Sequence, residues 1–98
     1  MKSVIYLAVA DAELVQSAQY YDAQREGLGR LFLDAVRETE SRIRRNPRLW
    51  ALRVRPVRSC RVKRFPFRLL YAEESERVVV LAVMPLSRHP GYRLARLA

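Results

Sequence analysis

Val78-Val79-Val80-Leu81-Ala82-Val83-Met84 is apolar at every position. A strand with one wet face alternates apolar and polar residues, so an unbroken run of this length reads as a central strand buried on both faces. Pro85 marks its end, because proline has no N–H to donate to a ladder. Working back from it, Glu73-Glu74-Ser75-Glu76-Arg77 has the composition of a polar hairpin turn. Before that turn, Phe67, Leu69 and Tyr71 alternate with Arg68, Leu70 and Ala72. Earlier still, Arg58, Cys60 and Val62 alternate with Ser59, Arg61 and Lys63. Both stretches have the two-residue period of a strand.

Upstream of Pro47 the period is helical. Leu28, Phe32, Ala35, Val36, Thr39 and Ile43 fall on one helix face, and Asn46-Pro47 stops the helix because proline breaks the hydrogen-bond ladder. Gly27-Leu28-Gly29 separates this helix from an earlier one, in which Leu14, Ala18 and Tyr21 recur at helical spacing and Val15 widens the stripe. Asp11 stands where a carboxylate would cap that first helix. Val4 to Val9 precedes it as a short apolar strand; its single basic neighbour and the acidic turn at Asp11 argue against a signal peptide. The expected order is β-α-α-β-β-β. That makes residues 1–98 one α+β domain, a helical hairpin packed on one face of a mainly antiparallel four-stranded sheet. Arg88 to Ala98 reads as an irregular basic tail.

Charge is segregated along this order. From Ser41 to Ala72 there are eleven basic residues and no acidic one, whereas the first forty residues carry seven acidic and four basic. Such a field concentrates polyanionic partners, although a solvated basic face would show the same composition. Only Lys2 and Lys63 of the 19 basic residues are lysine. The arginine bias suits bidentate binding of phosphate or carboxylate, and equally suits a GC-rich genome. Arg58, Arg61, Lys63, Arg64 and Arg68 are the candidates for binding nucleic acid or an acidic protein.

Most catalytic constellations are missing. One histidine (His89) and one cysteine (Cys60) cannot assemble a metal cluster at the usual spacings, and no glycine-rich phosphate loop is present. The expectation is a protein with no cofactor and no metal. No apolar run approaches the roughly 20 residues of a membrane span, and the lone cysteine suits a reducing cytoplasm.

Several features together resemble the RelE/ParE toxin superfamily of type II toxin–antitoxin modules. They are the Tyr20-Tyr21 pair, Gly27-Leu28-Gly29 with Phe32, Ile43 before Asn46-Pro47, the Phe65-Pro66-Phe67-Arg68-Leu69-Leu70-Tyr71 strand, and Arg88, Pro90 and Tyr92 in the tail. The resemblance spans essentially the whole chain and implies a growth-inhibiting toxin that forms a complex with a cognate antitoxin. It leaves two mechanisms open. ParE-like members bind DNA gyrase and block it without catalysis. RelE-like members cleave messenger RNA on the ribosome without a metal, and Lys63, Arg68, Arg88 and Tyr92 stand at positions similar to their active-site residues. In that chemistry cations stabilise the crowded phosphate while Tyr92 or Lys63 handles the proton of the 2′-hydroxyl.

Each candidate also has a plainer reading. Arg68 is otherwise a solvated strand cation, Tyr92 an anchor on the core, His89 an exposed tail residue, and Phe65 with Phe67 core packing. Two departures from the resemblance matter: members with this glycine connection commonly show histidine where Pro85 stands and tryptophan where Arg93 stands. The tyrosine pair and the glycines look more like the ParE-like branch, so gyrase inhibition is the expectation, with RNA cleavage as the alternative. A small RNA- or ribosome-binding module without toxicity is a third reading.

Overall fold

The computed structural model describes residues 2–88. Seven elements follow one another: β1 (Ser3–Tyr6), α1 (Ala8–Gln24), α2 (Leu28–Arg45), β2 (Ala51–Val54), β3 (Val57–Arg61), β4 (Phe67–Glu73) and β5 (Arg77–Pro85). The strands form one sheet in the order β1-β5-β4-β3-β2. β1 runs parallel to β5, and the other three pairings are antiparallel.

The sheet has five strands where four were expected. The additional one is β2, a four-residue edge strand whose every residue is exposed. With neither face buried, nothing selects an alternating pattern, so β2 left no periodic trace in the sequence. The first strand is also shorter than Val4 to Val9: it ends at Tyr6, and α1 begins at Ala8. Asp11 is therefore not the cap. Leu7 holds that position with extended backbone, and the Asp11 N–H already donates to the Leu7 carbonyl at 2.9 Å. The Asp11 carboxylate lies in the first turn, where the helix dipole favours negative charge.

β5 is buried on both faces, as its composition requires. Val78, Val80 and Val83 join a cluster with both helices, whereas Val79, Leu81, Ala82 and Met84 join a second cluster on the opposite face. The switch of side within Val80–Val83 comes from an irregularity in the β4–β5 register, where Leu70 pairs Ala82 but Tyr71 pairs Val80. Glu13 of α1 reaches this strand and accepts the Val83 N–H at 3.0 Å.

Both helices pack on one face of the sheet. Phe32, Val36, Thr39 and Ile43 are buried along α2 as the spacing predicts, and Leu14, Ala18 and Tyr21 of α1 pack against the same core. Val15 does not widen that stripe; it is 47% exposed. The hairpin between the helices depends on both glycines. Gly27 has φ +87°, and a Cβ on Gly29 would lie 2.5 Å from the Ala18 carbonyl oxygen, so the helices approach through that position.

Phe65 and Phe67 pack inward. With Tyr21 and Phe32 they form a four-ring cluster whose centroids lie 4.9–6.0 Å apart. Tyr71, fully buried on β4, donates its hydroxyl to the Pro47 carbonyl at 2.6 Å and so ties the α2–β2 connection to the sheet. Burial pushes the Tyr71 phenol well above its usual pKa. Cys60 is 1% exposed on β3, and burial raises its thiol pKa, an effect opposed in part by Arg42.

Two measurements test this packing. Gly29→Ala should destabilise the chain by about 1–3 kcal/mol in urea denaturation, because the obstructing atom is backbone and cannot rotate away. An unchanged midpoint would show that the helices are not in contact there. Cys60 should resist a thiol-specific disulfide reagent at neutral pH and react within seconds once urea unfolds the chain; rapid labelling of the native protein would contradict its burial.

Candidate anion-binding face

Strand alternation places Arg61 and Arg68 on the sheet face away from the helices, and the β3–β4 register sets them directly opposite one another. Like charges so placed are unfavourable unless something neutralises them. Arg53 of β2 joins them; its Nε donates to Ser59 Oγ at 2.8 Å. Among the described residues none of the three arginines forms an ion pair. Arg68 is half-buried, and its Nε is buried with no hydrogen-bond partner. Its Nη2 has only a long contact, 3.5 Å to the Leu86 carbonyl. Burial, then Arg53, then Arg61 pull the Arg68 pKa below the usual guanidinium value. A buried donor without a partner costs about 1–3 kcal/mol. A phosphate or carboxylate bound here would satisfy that donor and relieve the repulsion at once.

The other candidates lie elsewhere. Lys63 follows β3, and its Nζ is 3.8 Å from Glu38 Oε1 on α2. Arg64 is exposed in the same loop with a left-handed backbone, φ +73°. Arg58 faces the helix side, where Nη1 donates to the Trp50 carbonyl at 3.0 Å and braces the α2–β2 connection. Arg88 is exposed and lines a cavity of about 210 Å³ with Glu13, Gln16 and Ser17 of α1. Tyr92, His89 and Arg93 lie outside the described residues. The structure thus sets Arg61 opposite Arg68, while Lys63 lines a cavity with Arg61 and contacts Glu38, and Arg88 lines one beside α1. Arg53 was not singled out as a site residue from the sequence, because its role depends on the pairing of β2, which carried no periodic signal. Among the described residues no group of three or more His, Cys, Asp or Glu side chains is placed to hold a metal.

Residues 4–90 match the family model described as the ParE toxin of the type II toxin–antitoxin system, parDE. The chain belongs to the ParE toxin family. A solved chain from the chromosomal ParDE TA system of P. aeruginosa has a similar fold, with a TM-score of 0.63 at 18% identity, covering 87% of this chain and 96% of that one. No curated protein sequence matches significantly. That fold fits the helical hairpin packed on the sheet described above. Within this ParE toxin the Arg53, Arg61 and Arg68 face is the described surface with a built demand for an anion.

That demand is measurable. At matched ionic strength, phosphate should raise the melting temperature of the unsubstituted chain above its value in chloride, because a ligand of the native state stabilises it by mass action. Stabilisation of about 1 kcal/mol corresponds to roughly 4–8 °C for a domain of this size. Arg68→Gln should lose most of the difference. Equal melting temperatures in the two anions would show that the face binds none.

Proposed function

We propose that this ParE-family toxin inhibits growth by binding DNA gyrase, and that a cognate antitoxin neutralises it in a protein–protein complex. The observation that carries the choice of target is the separation of the cations. Cleavage of RNA through its own 2′-hydroxyl needs a proton acceptor and cations converging on one phosphate. Here Arg68 lies on the open sheet face, Lys63 beside α2 in contact with Glu38, and Arg88 beside α1. A binding toxin has no such requirement: it needs a rigid, charged surface, and dispersed arginines serve that purpose. The basic sheet would speed encounter with an acidic partner, while buried apolar contacts set the lifetime of the complex.

One observation favours the RelE-like alternative. The unpartnered Nε of Arg68 is the kind of donor that grips a phosphate in the transition state. It serves equally to hold a carboxylate of a protein partner, and the dispersal of the other residues supports the gyrase reading.

Induction in growing cells separates them. The gyrase reading expects filamentous cells with broken or unresolved DNA, intact messenger RNA, and undiminished toxicity of Arg88→Ala. The nuclease reading expects messenger fragments within minutes, and a rate about two to three orders of magnitude lower once a pre-placed donor such as Arg88 is removed. Fragments that disappear in Arg88→Ala would contradict the proposal.

A further inference from the structure

The sheet face away from the helices holds two features that its packing does not require. The first is a bulge. β2 pairs with β3 at Leu52 and Arg58 and again at Val54 and Val57, so Arg53 stands at a register shift without a partner of its own. A bulge re-aims a side chain that regular pairing would point elsewhere. The second is Ser59, a polar residue only 6% exposed, whose Oγ accepts the Arg53 Nε at 2.8 Å. Bulge and hydroxyl together hold Arg53 close enough to act on the Arg68 charge. Guanidinium groups from three adjacent strands thus share one corner of the face.

Apolar surface adjoins that corner. Leu70, Ala72, Val79, Ala82 and Met84 belong to the buried cluster of the same face. Val57 belongs to it too, and cross-strand partners share a face, so Val54 also points outward. Val54 is 54% exposed beside Arg53.

Unmet charge next to bare apolar surface selects among anions. The Arg68 Nε is buried, so an anion has to reach inward to meet it. Backbone phosphates of a nucleic acid are fixed in the chain and have no free stem. They also come as a series, which calls for cations along a track. Between Val79 and Met84, β5 places none on this face, and Arg77 at its far end is already answered by Glu74 at 2.6 Å. A carboxylate on a Glu or Asp side chain has the stem, and its two oxygens match the guanidinium fork. A protein surface also supplies the apolar neighbour that Val54 lacks.

We infer that this corner receives an acidic side chain of gyrase, its carboxylate held by Arg61 and Arg68 with Arg53 as a third donor, and an apolar neighbour over Val54. Ser59 is a positioning residue that acts through Arg53. The inference rests on the gyrase reading and adds the surface that gyrase meets and the chemistry it brings.

The test measures the dissociation constant of the whole chain for purified gyrase, alone and on DNA. Arg61→Lys and Arg68→Lys keep the charge but lose the fork, and each should weaken binding roughly tenfold or more. Val54→Asp should weaken it to a similar degree. Ser59→Ala should cost about threefold and should add nothing once Arg53→Gln is present, the non-additivity expected of a residue that works through another. Arg37→Gln removes a charge from an exposed position on α2 and should bind as the unsubstituted chain does. Melting curves confirm that each variant is folded. Absence of binding by the unsubstituted chain in both conditions would overturn the gyrase reading and this assignment with it. Normal gyrase binding that ignores Arg61→Lys, Arg68→Lys and Val54→Asp would overturn the assignment alone. Unchanged gyrase affinity in Arg68→Gln, with weaker binding to a DNA fragment by itself, would also overturn it and give the corner to nucleic acid.

Discussion

Four aromatic rings hold the helical hairpin to the sheet. Tyr21 comes from α1, Phe32 from α2, Phe67 from the start of β4 and Phe65 from the loop before it. Each favourable ring pair adds about 0.5–1.5 kcal/mol beyond the burial of its area. More consequential is where Phe65 sits in the chain, directly after Lys63 and Arg64. Burying that ring fixes the loop, and the loop presents the cations. Core formation and the placement of Lys63 and Arg64 are therefore linked. Loosening the cluster would disperse the charges as well as weaken the fold.

The second theme is repulsion left uncorrected. The chain carries a formal charge of +9. Acidic side chains answer several cations, as Glu73 does for Lys2 (2.5 Å) and Arg48 (3.0 Å) and Glu38 for Arg42 and Lys63. Those hydrogen bonds from Lys2 and Arg48 hold the Glu73 pKa below the usual carboxylate value. The Glu73 contribution is therefore complete above the unfolded carboxylate pKa and fades as pH falls through the lower folded one. No comparable partner serves Arg53, Arg61 and Arg68 among the described residues. A domain built only for stability would have no reason to place Arg61 opposite Arg68. An anionic group bound there would recover the stability forgone, and binding and stability would then be linked.

Much of this was legible in the sequence, and the misses share a cause. β5 was readable because burial on both faces forces every residue to be apolar, and α2 because one buried face imposes helical spacing on Phe32, Val36, Thr39 and Ile43. β2 was not, because an exposed edge strand imposes no pattern. Asp11 misled because a good capping residue stood one turn inside the helix, while the actual cap, Leu7, uses no side-chain hydrogen bond. Basic composition located the anion face only coarsely. That Arg58 braces Trp50 while the Arg68 Nε lacks a partner is settled by strand pairing and side-chain reach, and neither is written in residue type. The family, by contrast, was legible from short motifs in a fixed order, some of which, such as Gly27-Leu28-Gly29 and the Phe65–Phe67 stretch, stand where a turn or the aromatic cluster constrains the chain.

The account centres on a toxin that acts by binding and not by cleaving. The most direct measurement adds the purified chain to purified DNA gyrase with relaxed plasmid and ATP, and in parallel to translating ribosomes carrying a defined messenger. The account predicts that supercoiling is blocked in a dose-dependent way while the messenger stays intact. Unimpaired supercoiling together with a cut messenger would contradict it.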